Sequence, residues 1–183
     1  MRPSPFHALS RACRSWAVLP LLAGLAACAP DVDQFAPPCP QAGILPGAGD
    51  LTRWRGAGRD ITDQVLQARI TGVKGECQRA DQKTLRATVS VRMTLDRGPS
   101  ASGRTAEVTY FVAVAQGARI LDKQDYPLRV QFPPNTERVD VSGDDVTLRL
   151  PISPQKSGSA YTVWAGFQLT PEQLQGNQAA PPR

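Results

Sequence analysis

Residues 84–96, TLRATVSVRMTLD, alternate without a break. Leu85, Ala87, Val89, Val91, Met93 and Leu95 interleave with Thr84, Arg86, Thr88, Ser90, Arg92, Thr94 and Asp96. Successive side chains of a strand point to opposite sides, so a period of two puts every apolar group on one face and every polar group on the other. The segment therefore belongs to a sheet with one dry face and one wet face. Segment 105–116, TAEVTYFVAVAQ, is apolar on both faces in its middle, as a central strand is. An earlier strand is expected from Val65 to about Cys77, with Gly72 and Gly75 permitting a bulge. Further strands are expected at 126–132, 138–142, 145–152 and 160–169. Turn chemistry fills the breaks between them, in DRGPSASG, QGAR, PPNTE, SGDD and SPQKSGS.

About seven short strands with almost no helical period predict an all-β chain: a single antiparallel β-sandwich of immunoglobulin or fibronectin type over residues 51–175. A small barrel is the alternative. The one helical signal is TPEQLQ at 170–175, where Thr170 caps, Pro171 suits the first turn and Gln173 completes a capping box. A short helical turn is expected there, followed by a disordered tail over 176–183. Residues 29–50 are rich in Pro, Gly and Ala with no sustained period, which describes a tether, with Ile44 and Leu45 available to dock on the domain. Fully extended, those 22 residues reach at most about 70 Å.

The N-terminus has a different character. Arg2, Arg11 and Arg14 precede an uncharged stretch from Ser15 to Ala29, whose apolar heart runs from Trp16 to Ala27. A spanning helix needs about 20 apolar residues, so this run is too short. Pro20, Gly24 and Pro30 interrupt it, which argues against a buried helix. A basic region, a short apolar region and small residues before a cut describe a secretory signal over residues 1–27. The cut site, Leu25-Ala26-Ala27-Cys28, resembles the lipobox of bacterial lipoprotein precursors. A simple soluble signal peptide cut at an A-x-A-like site is the rival reading.

The lipoprotein resemblance implies that the processing and sorting machinery joins diacylglycerol to the Cys28 thiol, cuts before it, and acylates the new amine. Two or three acyl chains make a stable membrane anchor where one alone is marginal. In that family an Asp after the cysteine often retains the product in the inner membrane; here the position is Ala29. The expected address is thus the periplasm-facing inner leaflet of the outer membrane, with the periplasmic face of the inner membrane as the alternative. The segments CPQAGIL, LTRWRGAGRDITD and GFQLTPEQL also look like stretches shared by a family of uncharacterised Gram-negative envelope lipoproteins. That likeness implies envelope location and brings no catalytic residues with it.

Cleavage would leave 156 residues and lower the formal charge from +5 to +2, because three arginines and no acids leave. With Lys and Arg interleaved among acids and no basic run, nucleic-acid binding has little support. The only histidine, His7, lies in the signal. A mature chain without histidine cannot run Ser-His-Asp or Cys-His chemistry or offer imidazole to zinc. No catalytic residue, metal site or dissociable cofactor is assigned. Cys13 leaves with the signal and Cys28 takes lipid, so Cys39 and Cys77 remain. In an oxidising compartment two such thiols usually pair; two separate buried thiols are the alternative.

Three further stretches are candidates. In RWRGAGRD, 53–60, Trp54 between Arg53 and Arg55 could form a cation–π platform, and the glycines could bring amides near an anion. The plainer reading has the indole covering one end of the sandwich and the arginines paired with Asp50, Asp60 or Asp63. Asp144-Asp145 are adjacent, so on a strand they point to opposite faces and suit a solvated hairpin turn better than a glycosidase pair. In YTVWAGFQLT, 161–170, Trp164 falls on the face opposite Val163, Ala165 and Phe167. Trp164 is a candidate contact anchor, unless the tether or the C-terminal turn covers it. A non-enzymatic interaction or scaffolding role with an envelope protein partner is the expectation. The alternatives are a carboxylate-dependent glycan-cleaving enzyme and a small-ligand or ion carrier.

Overall fold

The computed structural model describes residues 38–179. The expected signal peptide 1–27, the lipid-bearing Cys28, the first part of the tether and residues 180–183 of the tail lie outside the described residues. Among the described residues nine strands and one α-helix follow in chain order: β1 (Gln41–Ile44), β2 (Asp50–Trp54), β3 (Gln64–Asp81), β4 (Thr84–Arg97), β5 (Thr105–Gln116), β6 (Arg119–Gln131), β7 (Arg138–Ser142), β8 (Val146–Pro151), β9 (Thr162–Phe167) and α1 (Pro171–Ala179). They build two sheets. One has the order β1-β9-β5-β6; the other has the order β2-β3-β4-β7, with β8 also on β4.

The alternation in β4 does what the pleat requires. Leu85, Val89, Met93 and Leu95 are 0 % exposed. Burying a side chain of this size contributes about 1.5–3 kcal/mol. Val89, Met93 and Leu95 meet Val108, Tyr110 and Val112 of β5 and Val163, Ala165 and Phe167 of β9 in the main core between the sheets, while Leu85 packs with Val114, Leu150 and Tyr161 in a second cluster. The chain is an all-β sandwich, as its strand pattern predicts. Its neighbours differ from the A-B-E-D order of an immunoglobulin sheet: β2, β3 and β4 are consecutive in the chain and adjacent in space. The pairing is antiparallel except at one edge, where β1 runs parallel to β9 from Gln41↔Thr162 to Ile44↔Ala165.

β3 carries the expected bulge, a register shift between Ile70 and Gly72. At Gly75 an added Cβ would lie 3.3 Å from the Ala42 Cβ, so that glycine lets β1 come close.

Four sequence expectations are corrected. The tether does not extend to Asp50, and the folded domain does not begin at residue 51: β1 and the start of β2 occupy that stretch. Ile44 packs on the main core, while Leu45 and Ala48 pack with Phe111 and Ala113 on the far side of β5. The Pro-Gly composition serves a tight turn there, with Gly47 at φ 79°. β6 begins at Arg119 rather than 126, because the edge-strand residues 119–125 are exposed on both sides and show no alternation.

Asp144 and Asp145 are exposed, but they do not sit in a hairpin. β7 pairs with Arg92–Asp96 and β8 with Thr84–Val89, so both run the same way along β4 and the two aspartates lie at the break between them. Gly143 opens that break over Tyr110, whose hydroxyl would lie 2.2 Å from a Cβ at position 143. Burial, with Asp144 nearby, pushes the Tyr110 hydroxyl above the usual tyrosine range.

The helix is longer than a turn and takes in residues 176–179 of the expected tail. Its capping box is formed: the Gln173 amide donates to Thr170 Oγ1 at 3.3 Å, and the Thr170 amide donates to Gln173 Oε1 at 2.9 Å. Asn177 Nδ2 then donates to the Gly47 and Asp50 carbonyl oxygens, and Gln173 Nε2 to Thr52 O, tying α1 to the start of β2. Thr170→Ala is expected to cost about 1 kcal/mol of stability, read as a lower denaturant midpoint with an unchanged slope.

Candidate functional site

Cys39 and Cys77 are joined by a disulfide with Cα atoms 5.7 Å apart. The bond fixes the chain just before β1 to the far half of β3, beyond the stretch that pairs with β2. One lateral side of the sandwich is therefore closed by β1 and its covalent link. On the opposite side β6 ends one sheet and β7 with β8 ends the other.

The RWRGAGRD stretch departs from both of its expected pairings. Arg53 Nη1 donates to the Glu107 carbonyl at 2.6 Å, and Arg55 Nη2 donates to the Ser100 carbonyl. Asp50 instead pairs with Arg69 at 2.6 Å. Asp63 is used through its backbone, which accepts the Arg55 amide at 2.8 Å. The reason is topological: β2 lies at the end of its sheet, so its arginines reach across to the 98–104 loop and β5 rather than back along their own segment. Neither guanidinium stacks on Trp54; the described cation–π contacts are Lys123 over Phe111 and Lys156 over Tyr161. Trp54 is half-buried and lines an open cleft of about 600 Å³ against α1, with Arg53, Arg59, Glu172, Gln173 and Asn177. Hydrogen bonds from its own backbone and from Thr170 hold the Glu172 carboxyl below its usual range.

Trp164 lies on the face opposite the core, as its place in the alternation requires, and is half-buried. It stands in register with Gly43 of β1, where an added Cβ would be 3.3 Å from its ring. Part of the expected tether, folded as β1, thus lies against it. Trp54 and Trp164 belong to different sheets, and Trp164 does not line the cleft that holds Arg53 and Trp54.

Other places are concave as well. Between the open edges, Leu121, Leu148, Leu150, Val114 and Tyr161 line a cleft of about 330 Å³, flanked by Asp122 and Arg149. Leu121, which lines it, is 42 % exposed, and its chain neighbour Ile120 is 56 % exposed. At the end of the sandwich, a cleft of about 420 Å³ gathers Arg53 from β2, Arg97 from β4, Arg129 from β6 and Glu107 from β5 over Val65, Leu66 and Phe132. Arg97 Nη2 donates to Glu137 Oε1 at 2.6 Å, while its Nε is buried without a hydrogen-bond partner. Arg97 and Arg129 carry no local sequence signal. Arg97 lies in a turn-like stretch and Arg129 at a polar position of the expected strand 126–132, and only the fold brings them to Arg53.

Among the described residues, no group of three or more His, Cys, Asp or Glu side chains could hold a metal ion. Comparison with protein-family models, with curated proteins and with solved structures found no match.

Proposed function

We propose that this chain is a lipid-anchored envelope protein, held through diacylglyceryl and N-acyl groups on Cys28, whose β-sandwich serves the periplasm as a non-enzymatic interaction or scaffolding module. Its expected address is the inner leaflet of the outer membrane, reached through the lipoprotein processing and sorting machinery. The observation that supports this reading most is where the fold begins. Cys39, eleven residues after Cys28, is covalently fixed to Cys77 and followed at once by β1. Fully extended, eleven residues span at most about 40 Å. An anchor at Cys28 would hold the sandwich close to the bilayer surface.

The interaction role draws on the open lateral side. β6 offers an edge strand, and its exposed Leu121 borders an apolar cleft. Strand addition uses this pair of features: backbone groups give affinity and alternate side chains fill pockets. The occupant we propose is an extended, apolar-patterned segment of a partner protein.

A photoreactive residue in place of Leu121, introduced in intact cells, is expected to give a discrete protein adduct. The same residue in place of Gln82, in the exposed turn between β3 and β4, is expected to give none. Equal labelling at both positions, or none at position 121, would count against the interaction role.

A further inference from the structure

We infer that the cleft between Arg53, Arg97 and Arg129 binds an amphipathic oxyanion, a phosphate or carboxylate group carried on a short apolar body. The inference stands on the geometry of the cleft and is independent of the anchor at Cys28. At about 420 Å³ the cleft falls in the ordinary size range of small-ligand sites. Three guanidiniums line it against one lining carboxylate, Glu107, and Glu137 pairs with Arg97 from beside it, so the local balance is still positive. Clefts lined by one sign of charge concentrate ions of the other sign.

Most of the donors are unspent. Arg53 uses Nη1 on the Glu107 carbonyl. Arg129 faces the Glu107 carboxylate only at 3.8 Å, with side chains 75 % and 72 % exposed, a loose pair that contributes little and yields readily to a ligand. Arg97 is more constrained: Glu137 and Gly103 take its terminal nitrogens, while its buried Nε has no acceptor. A buried donor left unpaired is unfavourable, so Arg97 gains from any rearrangement that brings an acceptor to it. The guanidinium fork suits this task because its parallel N–H groups match two oxygens of a carboxylate or phosphate.

The wall beneath the arginines specifies the rest of the ligand. Val65, Leu66, Ala106 and Phe132 line the same cleft. A bare ion would leave that surface unused, whereas an attached apolar group would cover it. The source of such a ligand is either a free metabolite or the headgroup region of an anionic lipid.

The test is a titration of the detergent-solubilised mature protein with butyl phosphate and, separately, inorganic phosphate, followed by amide NMR shifts. Saturable shifts around Arg53, Arg97 and Phe132 are expected, with butyl phosphate binding several-fold more tightly than phosphate. Arg53→Gln and Arg129→Gln change exposed side chains, so the melting temperature is expected to hold while each weakens butyl phosphate binding about tenfold. Repeating the titration in bilayers with and without phosphatidylglycerol separates the two sources. Competition by the anionic lipid assigns the site to a headgroup, and its absence assigns it to a free solute. Failure to saturate with either probe, or unchanged butyl phosphate binding in both folded variants, would overturn the inference.

Discussion

Replacing Cys39 and Cys77 together by serine is expected to destabilise the sandwich by about 4 kcal/mol, the chain-entropy value for a closed loop of this length. The two cysteines are 38 residues apart, and the loop they close contains all of β1, β2 and the first part of β3. For a body of this size that loss corresponds to a fall of roughly 10 °C or more in the melting temperature. The damage should be uneven. β1 is only four residues long and pairs on one side, with β9. Without the covalent link its retention depends on that parallel ladder and on Ile44. Hydrogen exchange should therefore accelerate first in β1 and at the Leu45 amide, which donates to Ala165 O at 2.8 Å, and last in β4. The reduced wild-type protein should match the double variant in both respects. A melting temperature that does not move on reduction would show that the bridge is energetically idle.

The second large effect concerns location. Cys28→Ser removes the thiol to which the proposed anchor is attached, and the precursor then lacks the cysteine before which the lipoprotein pathway would cut. Each buried methylene contributes about 0.8 kcal/mol, so three acyl chains amount to a stable attachment where one would be marginal. The expected result is a change in form: either an uncut precursor held by its apolar run, or a soluble protein if another peptidase cuts nearby. Fractionation of the envelope with immunodetection reads both. Among the described residues no helix is long and apolar enough to cross a membrane, so the folded body supplies no helical span in compensation. An unchanged mature form that still sediments with membranes would contradict the assignment of Cys28.

How much of this was legible depends on whether the signal was local. β4 and β5 could be placed within a residue because burial on one face, or on both, writes its period directly into the sequence. The capping box at Thr170 and Gln173 was legible for the same reason, since both partners lie within one turn. β1 and β2 were hidden in a Pro- and Gly-rich stretch whose residues make turns between short strands as readily as they make a tether. The first half of β6 was hidden because an exposed edge strand has no apolar face to alternate. The two aspartates at 144–145 looked like a turn, and nothing in SGDD says that the chain continues along the same neighbour. The arginine cleft was the least legible feature. Arg53, Arg97 and Arg129 come from three separate strands, and their proximity follows from the strand order alone.

The resemblance to lipoprotein precursors rests on four residues, Leu25 to Cys28, and their flanks, and it governs where the sandwich works. The intact mass of the protein extracted from membranes addresses it directly. A polypeptide beginning at Cys28, heavier than its sequence by a diacylglyceryl group and an N-acyl chain and lighter by the two hydrogens of the Cys39–Cys77 bond, is the expected species. A chain whose mass shows residue 28 unmodified, recovered in the soluble fraction, would contradict it.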